Sequence, residues 1–118
     1  MWQYAFHGGE NQQWLLVKAD QGYYYIFAKH SGKCLDVEAF SYDDFANVIQ
    51  YSFNGGDNQK WQLKESSKGF FNIIAKHSGK CLDVDSWKKD DFANVWQYNL
   101  HNGDNQQWKF LPVRSDIE

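Results

Sequence analysis

Acids, histidines and cysteines are the side chains from which chemistry would be built, and here they come in pairs 47 residues apart. Cys34 recurs as Cys81, His30 as His77, Asp36 as Asp83, and Asp43-Asp44 as Asp90-Asp91. Two histidines at equivalent places in separate units do not converge on one metal, and neither has a further ligand at a recognisable spacing, so no metal site is expected. The paired aspartates lack the alternating oxygen ligands of a calcium loop and suit the start of a turn. No Gly-x-Ser-x-Gly, His-Glu-x-x-His or phosphate-binding loop is present. Glycoside cleavage needs two acids converging on one bond, and each unit supplies one well-placed aspartate. The reading is a binding module, not an enzyme, with no cofactor.

Composition narrows the partner. The chain has 118 residues, the size of one domain. Twelve basic and 15 acidic side chains give a net charge of −3, and the longest basic run is Lys88-Lys89. No nucleic acid partner is expected from such a surface. Aromatic residues make up 19% of the chain, too many for a disordered segment. No uncharged apolar stretch is long enough to span a bilayer. Met1-Trp2-Gln3-Tyr4 has neither the basic flank nor the apolar run of a secretory signal, so localisation stays unassigned.

The elements that must position these residues are repeats. Lys-His-Ser-Gly-Lys-Cys-Leu-Asp-Val stands at 29–37 and again at 76–84. Residues 22–61 and 69–108 align without a gap, and 25 of the 40 positions are identical. The chain opens inside a unit, because Trp2-Gln3-Tyr4 matches Ile49-Gln50-Tyr51 and Trp96-Gln97-Tyr98. One domain over 1–118 is therefore expected, with a partial repeat (1–18), full repeats (22–64 and 69–111) and a tail (112–118). Three full units would need 23 more residues, the front half of the first unit.

Within a unit the pattern is of short strands. Residues 22–29 and 69–76 are β-branched and aromatic, and 33–37, 47–53 and 60–64 follow, each bounded by Gly, Ser, Asn or Asp. Helical periodicity is absent over any ten residues, although 43–46 and 90–93 could each make a single helical turn. Four strands per unit, about ten of twelve in this chain, predict an all-β protein. One such unit cannot bury its apolar face alone, and closing three around an axis would shield the faces. Trp14, Trp61 and Trp108 recur as the expected core pegs. The repeated cysteines would then lie too far apart for a disulfide and stay buried and inert.

Gln12-Gln13-Trp14, Gln59-Lys60-Trp61 and Gln106-Gln107-Trp108, with Ser-Gly-Lys-Cys-Leu-Asp-Val twice before them, resemble the ricin-type β-trefoil lectins and related trefoil carbohydrate-binding modules. The likeness runs from Trp2 to about Phe110. It implies a β-trefoil with pseudo-threefold repeats of 47 residues, the first incomplete. It also implies one shallow sugar site per unit, made of an Asp, a third-strand aromatic, a loop residue and an Asn-Gln pair. Carried over by position, one site is Asp36, Tyr51, Asn54, Asn58 and Gln59; the other is Asp83, Tyr98, His101, Asn105 and Gln106. The opening half unit offers a possible partial site of Tyr4, His7, Asn11 and Gln12, without an Asp. Gln50 and Gln97, beside the aromatic, rank second, since a one-residue register decides their face. Many relatives pair the repeated Cys with another on the third strand; Phe53 and Leu100 stand there here, so no disulfide is expected.

These residue types suit a pyranose. A carboxylate accepts from two neighbouring hydroxyls, a tyrosine ring covers a C–H face, and Asn or Gln amides donate and accept at once. Plainer roles stay open beside these. The aspartates could bond turn N–H groups, the tyrosines could be core, Asn58 and Asn105 could shape turns, and Gln59 and Gln106 could brace the loop beneath the Trp. His7 and His101 could simply face solvent. The resemblance favours galactose or N-acetylgalactosamine, with xylose-type sugars also bound by related modules. The expected function is multivalent binding of glycoproteins or polysaccharides; the alternative is a trefoil kept for protein–protein contact. The incomplete first unit leaves three expectations: a fragment of a longer chain, a homo-oligomer completing the missing strands, or an exposed apolar gap. Secretion is implied only if the chain accompanies a toxin or glycosidase.

Overall fold

The computed structural model describes Met1, Gln3 and residues 8–111. Eight strands and five short 3-10 turns make up the regular structure of these residues. The strands are β1 (Trp14–Lys18), β2 (Tyr24–Ala28), β3 (Cys34–Val37), β4 (Val48–Tyr51), β5 (Trp61–Ser67), β6 (Phe70–Ala75), β7 (Cys81–Val84) and β8 (Val95–Tyr98). Of the ten strands expected, the third strand of the opening half unit falls on residues 2 and 4–7, outside the described residues. The other stands at Trp108, where a single antiparallel bridge to Phe71 replaces a strand.

All pairing is antiparallel, in the order β4-β3-β2-β5-β6-β7-β8, with β1 added on β2. Asn47, the residue just before β4, bridges to Trp96 of β8, so the sheet nearly closes on itself. The 47-residue repeat is kept in register: Cys34 faces Tyr51 and Asp36 faces Ile49, as Cys81 faces Tyr98 and Asp83 faces Trp96. Such fidelity follows from the two-residue period of a strand, because a slip of one would turn the apolar set to solvent.

The core gathers Ile26, Leu35, Val37, Val48, Trp61, Ile73, Leu82, Val84 and Val95. Trp61 is fully buried, and its Nε1 donates to the Leu35 carbonyl at 3.1 Å. Trp108 makes the same bond to the Leu82 carbonyl, also at 3.1 Å. Trp14 departs from the expectation of three equal pegs, being 39% exposed. The indole needs a Cys-Leu-Asp-Val strand 26 residues earlier to pack on and bond to, and these 118 residues hold none for Trp14. All five residues of β1 are exposed for the same reason. Cys34 and Cys81 are buried free thiols, each pushed up to about 11 chiefly by burial. Among the described residues no helix is long and apolar enough to cross a membrane.

Candidate functional site

The four residues of β7 are all buried, so Asp83 enters the fold as a carboxylate that must be hydrogen-bonded. Pairing with β8 sets Trp96 directly opposite, and Trp96 Nε1 donates to Asp83 Oδ1 at 3.0 Å. Gln106 Nε2 donates to Oδ2 at 2.8 Å from the 3-10 turn Asp104–Gln106. His101 Nε2 lies 3.5 Å from the same oxygen. Its Nδ1 accepts the Gly103 N–H at 2.9 Å, which leaves the ring proton on Nε2, toward the acid.

An aromatic wall closes this site. In the turn Asp85–Trp87, Ser86 and Trp87 take left-handed backbone (φ 50° and 60°), swinging the Trp87 ring against His101. The two rings stack at 5.7 Å with planes 14° apart. A Cβ on Gly103 would sit 2.5 Å from the Trp87 ring, so only glycine permits this approach. A cavity of about 300 Å³ results, lined by Asp83, Ser86, Trp87, Trp96, Tyr98, His101 and Asn105, together with Phe45.

Asp36 repeats the plan with different neighbours. Its Oδ2 accepts from Gln59 Nε2 at 2.9 Å, and its Oδ1 from Asn58 Nδ2 at 3.2 Å. Ile49, opposite Asp36, has no donor to offer, and Asn58 takes the place that Trp96 holds in the other copy. Burial raises the Asp36 carboxyl above its ordinary value, against the opposing pull of the Gln59 bond. A larger cavity, about 640 Å³, is lined by Asp36, Phe40, Ile49, Tyr51, Asn54 and Asn58, with Glu38, Ala39 and Gly56. Glu38 is a second acid where one per unit was expected from the sequence, exposed on the turn Glu38–Phe40 just past β3.

The structure thus brings Asp36, Tyr51, Asn54 and Asn58 to one cavity and Asp83, Tyr98, His101 and Asn105 to another. Gln59 and Gln106 are placed differently, fully buried and absent from either lining. Each donates to its aspartate and to a backbone carbonyl (Ser52 or Asn99), while its Oε1 accepts the N–H of Asn54 or His101. They brace the loop and the acid together. Gln50 and Gln97 sit one residue from the tyrosines, on the opposite strand face. Gln50 Oε1 accepts from Ser31 Oγ at 2.6 Å, and buried Gln97 bonds the carbonyls of Ser41 and Asp43. Asn11 and Gln12 fall in a 3-10 turn, Glu10–Gln12, away from both cavities. Tyr4 and His7 lie outside the described residues.

Trp96, Phe40, Trp87 and Phe45 line the cavities without having been singled out from the sequence. Trp96 was legible: two residues before Tyr98 on one strand, it shares that tyrosine's face. The others depend on left-handed turns that no periodicity announces. Segments 43–46 and 90–93 form turns closed by Ala46 N–H to Asp43 O and Ala93 N–H to Asp90 O, not helix, with Phe45 and Phe92 at φ 70° and 68°.

Comparison with known proteins agrees with this architecture. The ricin-type beta-trefoil lectin domain matches residues 1–110. No curated protein sequence matches the chain. Among solved structures, the designed 3-fold symmetric protein ThreeFoil is 53% identical, with 94% of this chain and 79% of that one covered and a TM-score of 0.92. The exo-beta-1,3-galactanase 1,3Gal43A from Clostridium thermocellum is 38% identical at a TM-score of 0.91; the match covers 94% of this chain but 24% of the galactanase. The ricin B-like lectin of Macrolepiota procera, solved with lactose, shares the fold at 21% identity and a TM-score of 0.77, covering 90% of this chain and 74% of that one. A β-trefoil is therefore the fold, and the lectin match supports carbohydrate binding in general terms. With that match running almost end to end, the chain belongs to the ricin-type β-trefoil lectin family.

Proposed function

We propose that this chain is a multivalent carbohydrate-binding domain with two separate galactose-type sites, one over Asp36 and one over Asp83. The observation that carries this reading is a buried aspartate, held by two side-chain donors on the floor of an aromatic-walled cavity, built twice from repeat-equivalent strands. Each carboxylate keeps acceptor capacity for a pair of sugar hydroxyls. Tyr51 or Tyr98 covers a C–H face of the ring, and Asn58 or Asn105 completes the polar edge. Asn105 Oδ1 is buried at the edge of its cavity without a hydrogen-bond partner among the described residues. Gln59 and Gln106 act behind the acids, and neither Gln50 nor Gln97 takes part.

Galactose and N-acetylgalactosamine are the favoured ligands, and the lactose-bound lectin and the galactanase among the structural neighbours support that choice. Open cavities of this kind bind single sugars at about −4 to −6.5 kcal/mol, and two of them gain through avidity on a glycan surface. We read the domain as non-catalytic: one acid lines the Asp83 cavity, and although Asp36 and Glu38 both line the other, Asp36 is already held there by Gln59 and Asn58. Amide NMR titration with galactose, N-acetylgalactosamine, lactose and xylose tests the proposal. Shifts are expected at Asn54 and Gly56 for one site and at the Trp96 indole for the other. Silence across the whole panel would leave the protein-docking trefoil as the better reading, and turnover of aryl glycosides would show an enzyme.

A further inference from the structure

Phe45 stands at the Asp83 cavity but belongs to the loop between β3 and β4, the other repeat's loop. Its ring meets Trp96 edge-on at 4.7 Å and Tyr98 at 5.2 Å. Two features set it apart from a core aromatic. It is 57% exposed, and its backbone is left-handed at φ 70°, a conformation that is costly for any residue but glycine.

The fold holds it there by a dedicated clamp. Phe45 N–H donates to the Gln97 carbonyl at 2.9 Å, and Gln97 N–H donates to the Ala46 carbonyl at 3.1 Å. Gln97 Nε2 then ties down the Ser41 and Asp43 carbonyls at 2.9 and 2.7 Å. The same device recurs 47 residues on: Phe92 at φ 68° donates its N–H to the Gln3 carbonyl, and Gln3 Nε2 bonds the Lys88 and Asp90 carbonyls, both at 2.8 Å. A strained loop, clamped twice in the same way and ending in a half-exposed ring, is not explained by burial.

We infer that Phe45 is a ligand-contacting, affinity-determining residue of the Asp83 site, lent by the neighbouring repeat, and that the two sugar sites are therefore unequal. The inference rests on the sugar-binding reading above. Phe45 supplies a second apolar surface beside Tyr98 for the C–H face of a pyranose. No described residue from another repeat lines the Asp36 cavity, whose lining runs from Asp36 to Asn58 and which is about twice as large. The Asp83 site is the tighter of the two for galactose or lactose.

The test is lactose and galactose titration of the whole chain by NMR, reading the Trp96 indole for one site and the Gly56 amide for the other. Phe45→Gly removes the ring at a position where glycine is the residue best suited to the backbone, so folding is retained. The expected result is affinity at the Asp83 site about five- to twentyfold weaker, no change at the Asp36 site, and recovery with Phe45→Tyr. Phe45 ring protons should also show transferred Overhauser effects to the sugar. Unchanged affinity of Phe45→Gly at the Asp83 site would overturn the inference while leaving the sugar reading intact. Equal losses at both sites would overturn it too, by showing a global effect. Absence of binding by the unaltered chain at both sites would instead overturn the sugar reading, and this inference with it.

Discussion

Gln106 and Asp83 are bonded side chain to side chain at 2.8 Å, with the glutamine wholly buried and the acid on a cavity floor. Gln59 and Asp36 stand in the same relation at 2.9 Å. The Gln of the repeated Gln-x-Trp is therefore the link between the core and the surface cavity. Its neighbour two residues on, Trp61 or Trp108, bonds the carbonyl next to the acid's own residue. Substituting Gln106→Leu strips a donor from a buried carboxylate and leaves the Asn99 carbonyl unpaired. We expect a loss of about 1–3 kcal/mol in unfolding free energy by urea titration, with Gln59→Leu behaving alike. Sugar binding should weaken at the altered copy only.

The two acids should be separable. Asp36→Asn and Asp83→Asn are each expected to abolish binding at their own cavity while the other still titrates with lactose. Free sugar thus still binds each single variant. On a densely galactosylated surface, however, either variant should lose about 100-fold or more in apparent affinity, measured by surface plasmon resonance, because the second contact no longer acts intramolecularly.

Acid should switch off the Asp36 site early. Burial raises that carboxyl above 3.8, and the charged form is the one that accepts from sugar hydroxyls. As pH falls, proton uptake at Asp36 therefore begins at a higher pH than for an ordinary aspartate. Titrations with galactose at a series of pH values between 7 and 3 should show Gly56 shifts fading before pH reaches 3.8. A site indifferent to pH down to 3 would contradict the carboxylate's role.

Stability should respond to acid through a different aspartate. Asp20, in the loop after β1, lies 2.9 Å from Lys60 Nζ and 2.8 Å from Lys76 Nζ, and bonds from both hold its carboxyl down at about 2. A depressed folded value means the stabilisation is complete above the unfolded value of 3.8 and is lost as pH falls through about 2. Asp20→Asn should lower the melting temperature slightly at pH 7 and not at all below pH 2. High salt should shrink the difference, because the acid is exposed.

The two thiols give a direct measure of closure. Cys34 and Cys81 are fully buried and raised to about 11, so neither is a thiolate at neutral pH. We expect no reaction with a chromogenic disulfide reagent at pH 8 in the folded state, and two equivalents released in guanidinium chloride. Rapid labelling of either thiol without denaturant would show that its strand opens readily.

Repetition and residue type carried most of the architecture without coordinates. A 47-residue period, strand-length runs between turn residues and three Gln-x-Trp copies lead to an all-β trefoil, because strand register follows from which side chains must leave water. The grouping of Asp36, Tyr51, Asn54 and Asn58, and of Asp83, Tyr98, His101 and Asn105, came from the resemblance to ricin-type lectins, with the period only carrying it from one unit to the next. Depth and turn handedness were not legible. The sequence offers Gln59 and Gln106 as amides able to touch a sugar, and packing alone puts them beneath the acids. Nothing in the order of residues turns Trp87 over Gly103 or carries Phe45 across to another repeat's cavity. Those placements arise from left-handed backbone at single residues, a choice of less than a few kcal/mol that only contacts between distant segments can hold in place. Trp14 shows the converse: an unaltered motif stays exposed where the strand it would pack against is missing from these residues.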